Sequence, residues 1–295
     1  MTFSVIIPTH NRHTLLEQSL ESLFRQDFAD FEIIVVNDGS TDATDERLLE
    51  YSAGGKIQYI KQSRRGPAAA RNAGIVRAQG RYLAFTDDDC VVPVDWLRRF
   101  SDVFNSGRVD IIGGTVQNCI DNNIYSQLSQ EVVNHFVSIL NKNGRASGFL
   151  TSNNIAYNAQ ALRNAGCFDE RFRVAGGEER AVNVRILRNG GISTLVPGLV
   201  VKHNHRMTAR SFFRQQRNYG RGAFLLHRII ARELQLPPTA IPVSAYATLV
   251  ASWLNAGILA GSRKLFLFVT GQAMVMIGFL LEALSSGSRG APASR

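Results

Sequence analysis

Short apolar runs alternate with longer stretches of helical apolar spacing through the first hundred residues, and this rhythm fixes the fold class. Phe3–Ile7, Phe31–Val36, Ile57–Ile60 and Tyr82–Phe85 read as buried strands. Leu15–Phe24, Asp42–Tyr51, Ala68–Ala78 and Pro93–Phe104 read as helices, with Thr41 as a cap for the second and Pro93 near the start of the last. Strand alternating with helix gives an α/β fold, a mostly parallel central sheet with helices on both faces. Ligands of such sheets bind beyond the carboxyl ends of the strands. The residues there are Thr9–His10–Asn11–Arg12, Asn37–Asp38–Gly39–Ser40 and Thr86–Asp87–Asp88–Asp89, all rich in groups that bind phosphate, ribose, base or metal.

Hydrophobic residues at 45% and charged residues at 19% exclude a disordered chain. The net charge of +9 suits an acidic small molecule, a nucleic acid or an anionic membrane, without choosing among them. Cys90, Cys119 and Cys167 form no CxxC pair or metal-ligand spacing, which fits a reduced, cytosolic setting, and MTFSVIIPTH lacks the pattern of a secretory signal. Between Asp110 and Asn204 the rhythm loosens. Strands are expected at Ile111–Val116 and Ile192–Val196, and the polar region from Asn118 to Ser147 is expected to form a helix over the site.

Three adjacent carboxylates repel one another, and burying even one without a partner is costly. Mg2+ or Mn2+ would remove the repulsion, taking one or two protein oxygens and the rest from phosphate and water. A solvated acidic turn is the alternative; the strand ahead of Asp87 favours the metal. Asp38, after the second strand, is either a turn residue or an acceptor for a base or ribose. Arg71, in GPAAARNAG, faces a nucleotide or forms a structural ion pair, and the alanines around it predict close packing on the sheet. Gly176–Gly177–Glu178–Glu179 reads as a flexible turn carrying a general base, or as the acidic start of a helix. His203 and His205, two apart in an extended segment, point to opposite sides, so at most one should reach a metal.

Together, VIIPTHNR, VVNDGSTDATDE, GPAAARNAGI, AFTDDDC, SNNIAYNAQALRNAGCFDERF and GGEE followed by VRILRNGG resemble the family-2 glycosyltransferases of the GT-A fold, in that family's order and spacing, from Thr2 to His205. The resemblance implies that Pro8, Thr9, Asn11 and Arg12 lie near the nucleotide, that Asp38 contacts base or ribose, and that Arg71 lies beside it. It places Asp87 on ribose and Asp89 on the metal, with Asp88 an alternative ligand because three acids in a row leave the register open. It implies that Asn154 lies near the donor sugar and that His203 approaches the metal or diphosphate. Glu179 takes the position of the base, with Glu178 beside it; the family more often has Asp there, and an acid where this chain has Ala181. The implied activity is inverting transfer of a hexosyl or N-acetylhexosaminyl group from a nucleoside-diphosphate-sugar, a UDP-sugar first of all, to a glycan or lipid-linked acceptor in cell-envelope polysaccharide synthesis. The QxxRW motif of processive synthases in the family is not matched by Arg214–Gly222, which favours transfer of one sugar or few.

The catalytic domain should therefore span residues 1–205, with a nucleotide half to about 117 and an acceptor half beyond. Residues 206–233 are basic: Arg210, Arg214, Arg217, Arg221, Arg228 and Arg232 follow steps that place them on one helix face, though Gly220 and Gly222 weaken a helix there. Leu234–Ser262 and Leu265–Leu281 are uncharged, and could form a membrane hairpin with Arg263–Lys264 in its turn, lie on a membrane, or pack on a partner. The expectation is association with the inner-membrane surface, the catalytic domain on its cytoplasmic face, and a disordered tail from Ser285. A nucleotidyltransferase and a non-catalytic nucleotide-sugar binder are the rival readings. Nucleic acid is not expected as a partner, because the aromatic-interleaved basic platform of single-strand binders is missing.

Overall fold

The computed structural model describes residues 1–141, 148–237 and 241–287. Its first half follows the predicted rhythm: β1 (Phe3–Thr9), α1 (His13–Phe24), β2 (Phe31–Asp38), α2 (Thr44–Ala53), β3 (Gln58–Gln62), α3 (Pro67–Arg77) and β4 (Tyr82–Phe85). Then come β5 (Cys90–Val91), α4 (Trp96–Ser106), β6 (Ile111–Asn118), α5 (Ile124–Leu140), β7 (Ile155–Asn158), α6 (Ala159–Asn164), α7 (Glu178–Arg188) and β8 (Ser193–His203). The sheet has eight strands in the order β3-β2-β1-β4-β7-β6-β8-β5. It is parallel from β3 to β4; β7 then runs antiparallel to β4 and β6, and β5 antiparallel to β8.

The apolar runs are continuous because both faces of these strands are covered. Val5 and Ile7 pack with Leu16, Leu20, Trp96 and Phe100 on one side, while Ile6, Ile34 and Val36 meet Ala68, Ala70 and Phe85 on the other. Each buried Val, Leu, Ile or Phe among these contributes roughly 1.5–3 kcal/mol by leaving water. The alanines of α3 do pack closely: Ala68 and Ala70 have no exposed surface, and a Cβ on Gly74 would stand 2.5 Å from Ile6. The cap of α2 is not Thr41. Asp42 Oδ1 accepts from the Thr44 backbone N–H, because Thr41 instead donates its own N–H to Asn11 Oδ1.

Beyond the sheet, α8 (Ala209–Arg228) continues through a π-helical turn, Ile229–Glu233, to α9 (Val243–Asn255) and α10 (Ile258–Gly287). Gly220 and Gly222 do not interrupt α8; they let other backbone come close. A Cβ at Gly220 would lie 1.9 Å from the Val275 carbonyl oxygen of α10, and one at Gly222 would lie 1.7 Å from that of Gly176. Arg210, Arg214, Arg217, Arg221, Arg228 and Arg232 are all exposed, as one face requires. Arg263–Lys264 is not a turn. The chain turns earlier, at Ala256–Gly257, and α10 runs unbroken through both cations, Lys264 Nζ reaching Glu131 at 2.7 Å. The helix also continues through Ser285 to Gly287, so the expected tail is ordered there; its remainder lies outside the described residues.

Candidate active site

The three strand-end clusters converge. Thr9 Oγ1 donates to Asp88 Oδ2 at 2.8 Å, the Asn11 backbone N–H to Ser40 Oγ at 2.9 Å, and Arg12 Nη1 to Asp88 Oδ1 at 3.0 Å and Asp89 Oδ2 at 2.7 Å. Asp88 is buried with both oxygens engaged by Thr9 and Arg12, and burial pushes its carboxyl up to about 7 against the pull of Arg12. Asp87 and Asp89, on either side, reach the wall of a cavity of about 800 Å3; Asp88 does not. The ambiguous register of the three acids is thereby separated in space: Asp88 braces the β1 loop.

Asp89 is the electrostatic centre of this wall. Strand β8 ends at His203, which pairs in register with Cys90, and the Asn204 N–H donates to the Asp89 carbonyl at 2.8 Å. His203 Nε2 lies 3.2 Å from Asp89 Oδ1 and His205 Nδ1 lies 3.1 Å from Asp89 Oδ2, the two rings stacked at 5.2 Å. The expectation that the two histidines point to opposite sides is corrected, because strand β8 and its alternation end at His203. Burial alone would raise Asp89, but His203, His205 and Arg12 hold it well below the usual carboxylate range. Burial would lower His203, and Asp89 overrides that and raises it.

Asp89, Cys90 and His203 each bring one ligand atom within 4.8 Å of the others. Cys90 enters through the fold and not through any cysteine spacing. Burial pushes its thiol well up, so it stays protonated and serves a hard cation poorly. A carboxylate oxygen and an imidazole nitrogen at a wall that also carries Asp87 are a donor set that fits Mn2+ or Mg2+, with most of the coordination left to diphosphate and water.

Arg71, fully buried, ties this wall to α7. Its Nη2 donates to Asp87 Oδ1 and its Nη1 to Glu178 Oε1, both at 2.9 Å. Of the two roles expected for Arg71, the structural ion pair is present, and the residue also lines the cavity. Gly176 and Gly177 take positive φ angles of 153° and 117° and start α7, so the glutamates occupy a helix N-terminus and not a loose turn. Glu178 has no free oxygen: Oε2 accepts from the Gly176 N–H at 2.9 Å. Glu179 lines the cavity, and its ion-pair partner among the described residues is Arg180, Nε to Oε1 at 3.9 Å. Burial first, and the charge of Glu178 second, push Glu179 up to about 7.

Other expected residues lie off the cavity wall. Asp38 spends both oxygens on the next loop, accepting from the Arg65 N–H and from the Gly66 N–H, each at 2.8 Å; Gly66 sits at φ 96°, and a Cβ there would strike the Arg173 carbonyl. Pro8, Thr9 and Asn11 stand at the same strand ends. Asn154 is corrected: it is wholly buried, accepts from Trp96 Nε1, and donates to the Thr115 and Leu199 carbonyls, so it has nothing left for a sugar. Its neighbour Asn153, missed in the sequence, lines the cavity with a buried Oδ1 that lacks a partner. Consecutive residues entering β7 face opposite ways, and the motif alone does not say which one faces the site.

A doubly covered sheet thus brings acids, histidines and a glutamate to one cavity at its strand ends. The sequence matches glycosyl transferase family 2 over residues 4–166, and the chain belongs to that family. It is 45% identical over 86 residues to an uncharacterized glycosyltransferase of Rickettsia bellii, a match covering 29% of this chain and 12% of that protein's length. The fold is that of the mannosyltransferase PcManGT from Pyrobaculum calidifontis in complex with GDP-Man and Mn2+, with a TM-score of 0.65, 18% identity and coverage of 95% of this chain and 86% of that one. It is also that of S. aureus TarS 1-349 in complex with UDP, with a TM-score of 0.58, 16% identity and coverage of 100% and 93%.

Proposed function

We propose that this glycosyltransferase is metal-dependent and inverting, moving a hexosyl or N-acetylhexosaminyl group from a UDP-sugar to a glycan or lipid-linked acceptor in cell-envelope polysaccharide synthesis. One observation carries the reading: Asp87, Asp89 and His203 share a cavity with Glu179, whose carboxylate has no ion-pair partner among the described residues closer than Arg180 at 3.9 Å. Glu179 takes the proton of an acceptor hydroxyl. That oxygen forms a bond to the anomeric carbon as the bond from that carbon to the diphosphate breaks, and the diphosphate leaves with the electron pair on the opposite face. Asp89 and His203 would hold Mn2+ or Mg2+, which when bound supplies neutralisation of charge on the departing diphosphate. Arg71 keeps Asp87 and Glu178 in place, and Asn153 Oδ1 is an acceptor for a sugar hydroxyl.

The structures bound to GDP-Man and to UDP support a nucleotide at these strand ends and leave the base to measurement. A thermal-shift screen of UDP-, GDP- and dTDP-sugars with and without Mn2+ tests the reading. Stabilisation by UDP-sugars that requires the metal is expected; metal-independent stabilisation, or none with any nucleotide, would overturn it.

Membrane association has its own support. Ile258–Ser286 is long and apolar enough to cross a membrane, with a mean hydropathy of 1.9 over its most apolar 18 residues, but one side of the helix packs on α8. Its outer side exposes Phe266, Val269, Met276 and Leu280 beside the exposed arginines of α8. We read this as a surface seated on the anionic cytoplasmic face of the inner membrane.

A further inference from the structure

The cavity holds more than a nucleotide-sugar calls for. Beside polar residues such as Gln130, Ser152, Gln215 and Gln272, one part of its wall is apolar, built by Val132 and Phe136 of α5, Ala223 and Leu226 of α8, Tyr246 of α9 and Phe268 of α10. The diphosphate and sugar of the donor are polar and gain little from such a lining, which suits an apolar group. At the junction of the polar and apolar parts stands Arg180. Its guanidinium lies 3.6 Å from the centre of the Phe149 ring, and its only ion-pair contact among the described residues is Glu179 at 3.9 Å. Arg180 Nε is shut away from solvent without a hydrogen-bond partner, while the side chain as a whole keeps 34% of its surface and lines the cavity. A cation so placed calls for an anion, and the donor's diphosphate is already placed at Asp87 and Asp89.

We propose that the acceptor is an anionic amphiphile: a glycan joined through phosphate to a long apolar chain, with the phosphate against Arg180, the chain in the apolar arm and a sugar hydroxyl at Glu179. The inference rests on the reading of Glu179 as the base and deepens it. Helix α10 supports the same occupant, since it lines the arm with Phe268 and Val275 and turns Phe266 and Leu280 outward. A chain delivered from a bilayer meets apolar surface on both sides of that helix.

Calorimetric titration of the full chain with ethyl, hexyl and decyl phosphate, below their micelle concentrations, tests this. Decyl phosphate should bind at least about 100-fold more tightly than ethyl phosphate, the gain from burying roughly three to four methylenes at ~0.8 kcal/mol each. Ala223→Trp and Val132→Trp, which fill the arm, should each cut that ratio to below about tenfold. Arg180→Gln should make decyl phosphate no better a ligand than neutral decyl glucoside. Equal binding at all chain lengths would overturn the proposal. So would a chain-length effect that survives both tryptophans but disappears in Phe266→Ser, since the alkyl chain would then lie on the outer face. Metal-dependent stabilisation by UDP-sugars, measured separately, shows which reading has failed: present without chain dependence, the acceptor inference alone falls; absent, the donor reading falls with it.

Discussion

The two sides of the cavity differ in how far their polar groups are already satisfied. On the strand-end side most groups have a partner: Asp88 has Thr9 and Arg12, Asp38 has the β3–α3 loop, and Arg71 spans Asp87 and Glu178, with its Nε left without one. On the other side Glu179, Arg180 and Asn153 Oδ1 face the cavity with little or nothing to hold them, next to an apolar wall. A satisfied network fixes geometry, whereas buried groups without partners cost free energy until a ligand supplies them. Under the proposed function, the first side would hold donor and metal, and the second is where an acceptor would complete the site.

The largest test of this contrast is on the satisfied side. Asp89→Asn should lower transfer by about 10³-fold, since metal stabilisation of the leaving group is worth several kcal/mol, and should abolish metal-dependent stabilisation by nucleotide. Steady-state rates and thermal shifts read the two effects. Arg71→Met should cost about 3–5 kcal/mol of folding stability in denaturant unfolding, because Glu178 is left charged and buried. A cost below about 1 kcal/mol would show that the network does not hold the two walls together.

The unsatisfied side should show itself in pH. With Glu179 pushed up to about 7, transfer should rise with pH, and kcat/KM at pH 6 should be about a tenth of its plateau. Stability runs the other way. The folded state holds the Glu179 proton more tightly than the unfolded chain, so stabilisation is present below the ordinary glutamate range and is lost as pH rises through about 7. Glu179→Gln should therefore melt higher than wild type at pH 8 and at nearly the same temperature at pH 4. The smallest effect lies outside the cavity: Arg214→Gln with Arg217→Gln should weaken binding to vesicles of anionic phospholipid by about 1 kcal/mol for each charge, seen in co-sedimentation.

The strands were legible because parallel strands covered on both faces are continuous apolar runs, and β1, β2 and β4 are such runs. The two-residue β5 and the four-residue β7 carry too little apolar sequence to announce themselves. The acids and histidines of the site were legible as residue types. Their division of labour was not, because it depends on partners distant in sequence: Asp88 is set apart by Thr9 and Arg12, and Glu178 by Arg71. Asn154 was misassigned for the same reason, Trp96 and two distant carbonyls claiming its amide. Arg263–Lys264 looked like a turn because a charge pair between apolar runs usually ends them, yet Glu131 receives Lys264 within a continuous helix. Arg180 drew no notice, since an arginine after two glutamates reads as a helix-surface charge until the cavity is seen around it.

The central claim is that Glu179 is the base at a site whose other wall holds the donor. Single-turnover transfer in Glu179→Gln, with nucleotide binding measured on the same protein, tests it most directly. The account predicts metal-dependent nucleotide binding within about twofold of wild type and transfer slowed by about 10²–10⁴-fold. Transfer at the wild-type rate, or loss of transfer only in step with loss of nucleotide binding, would contradict it.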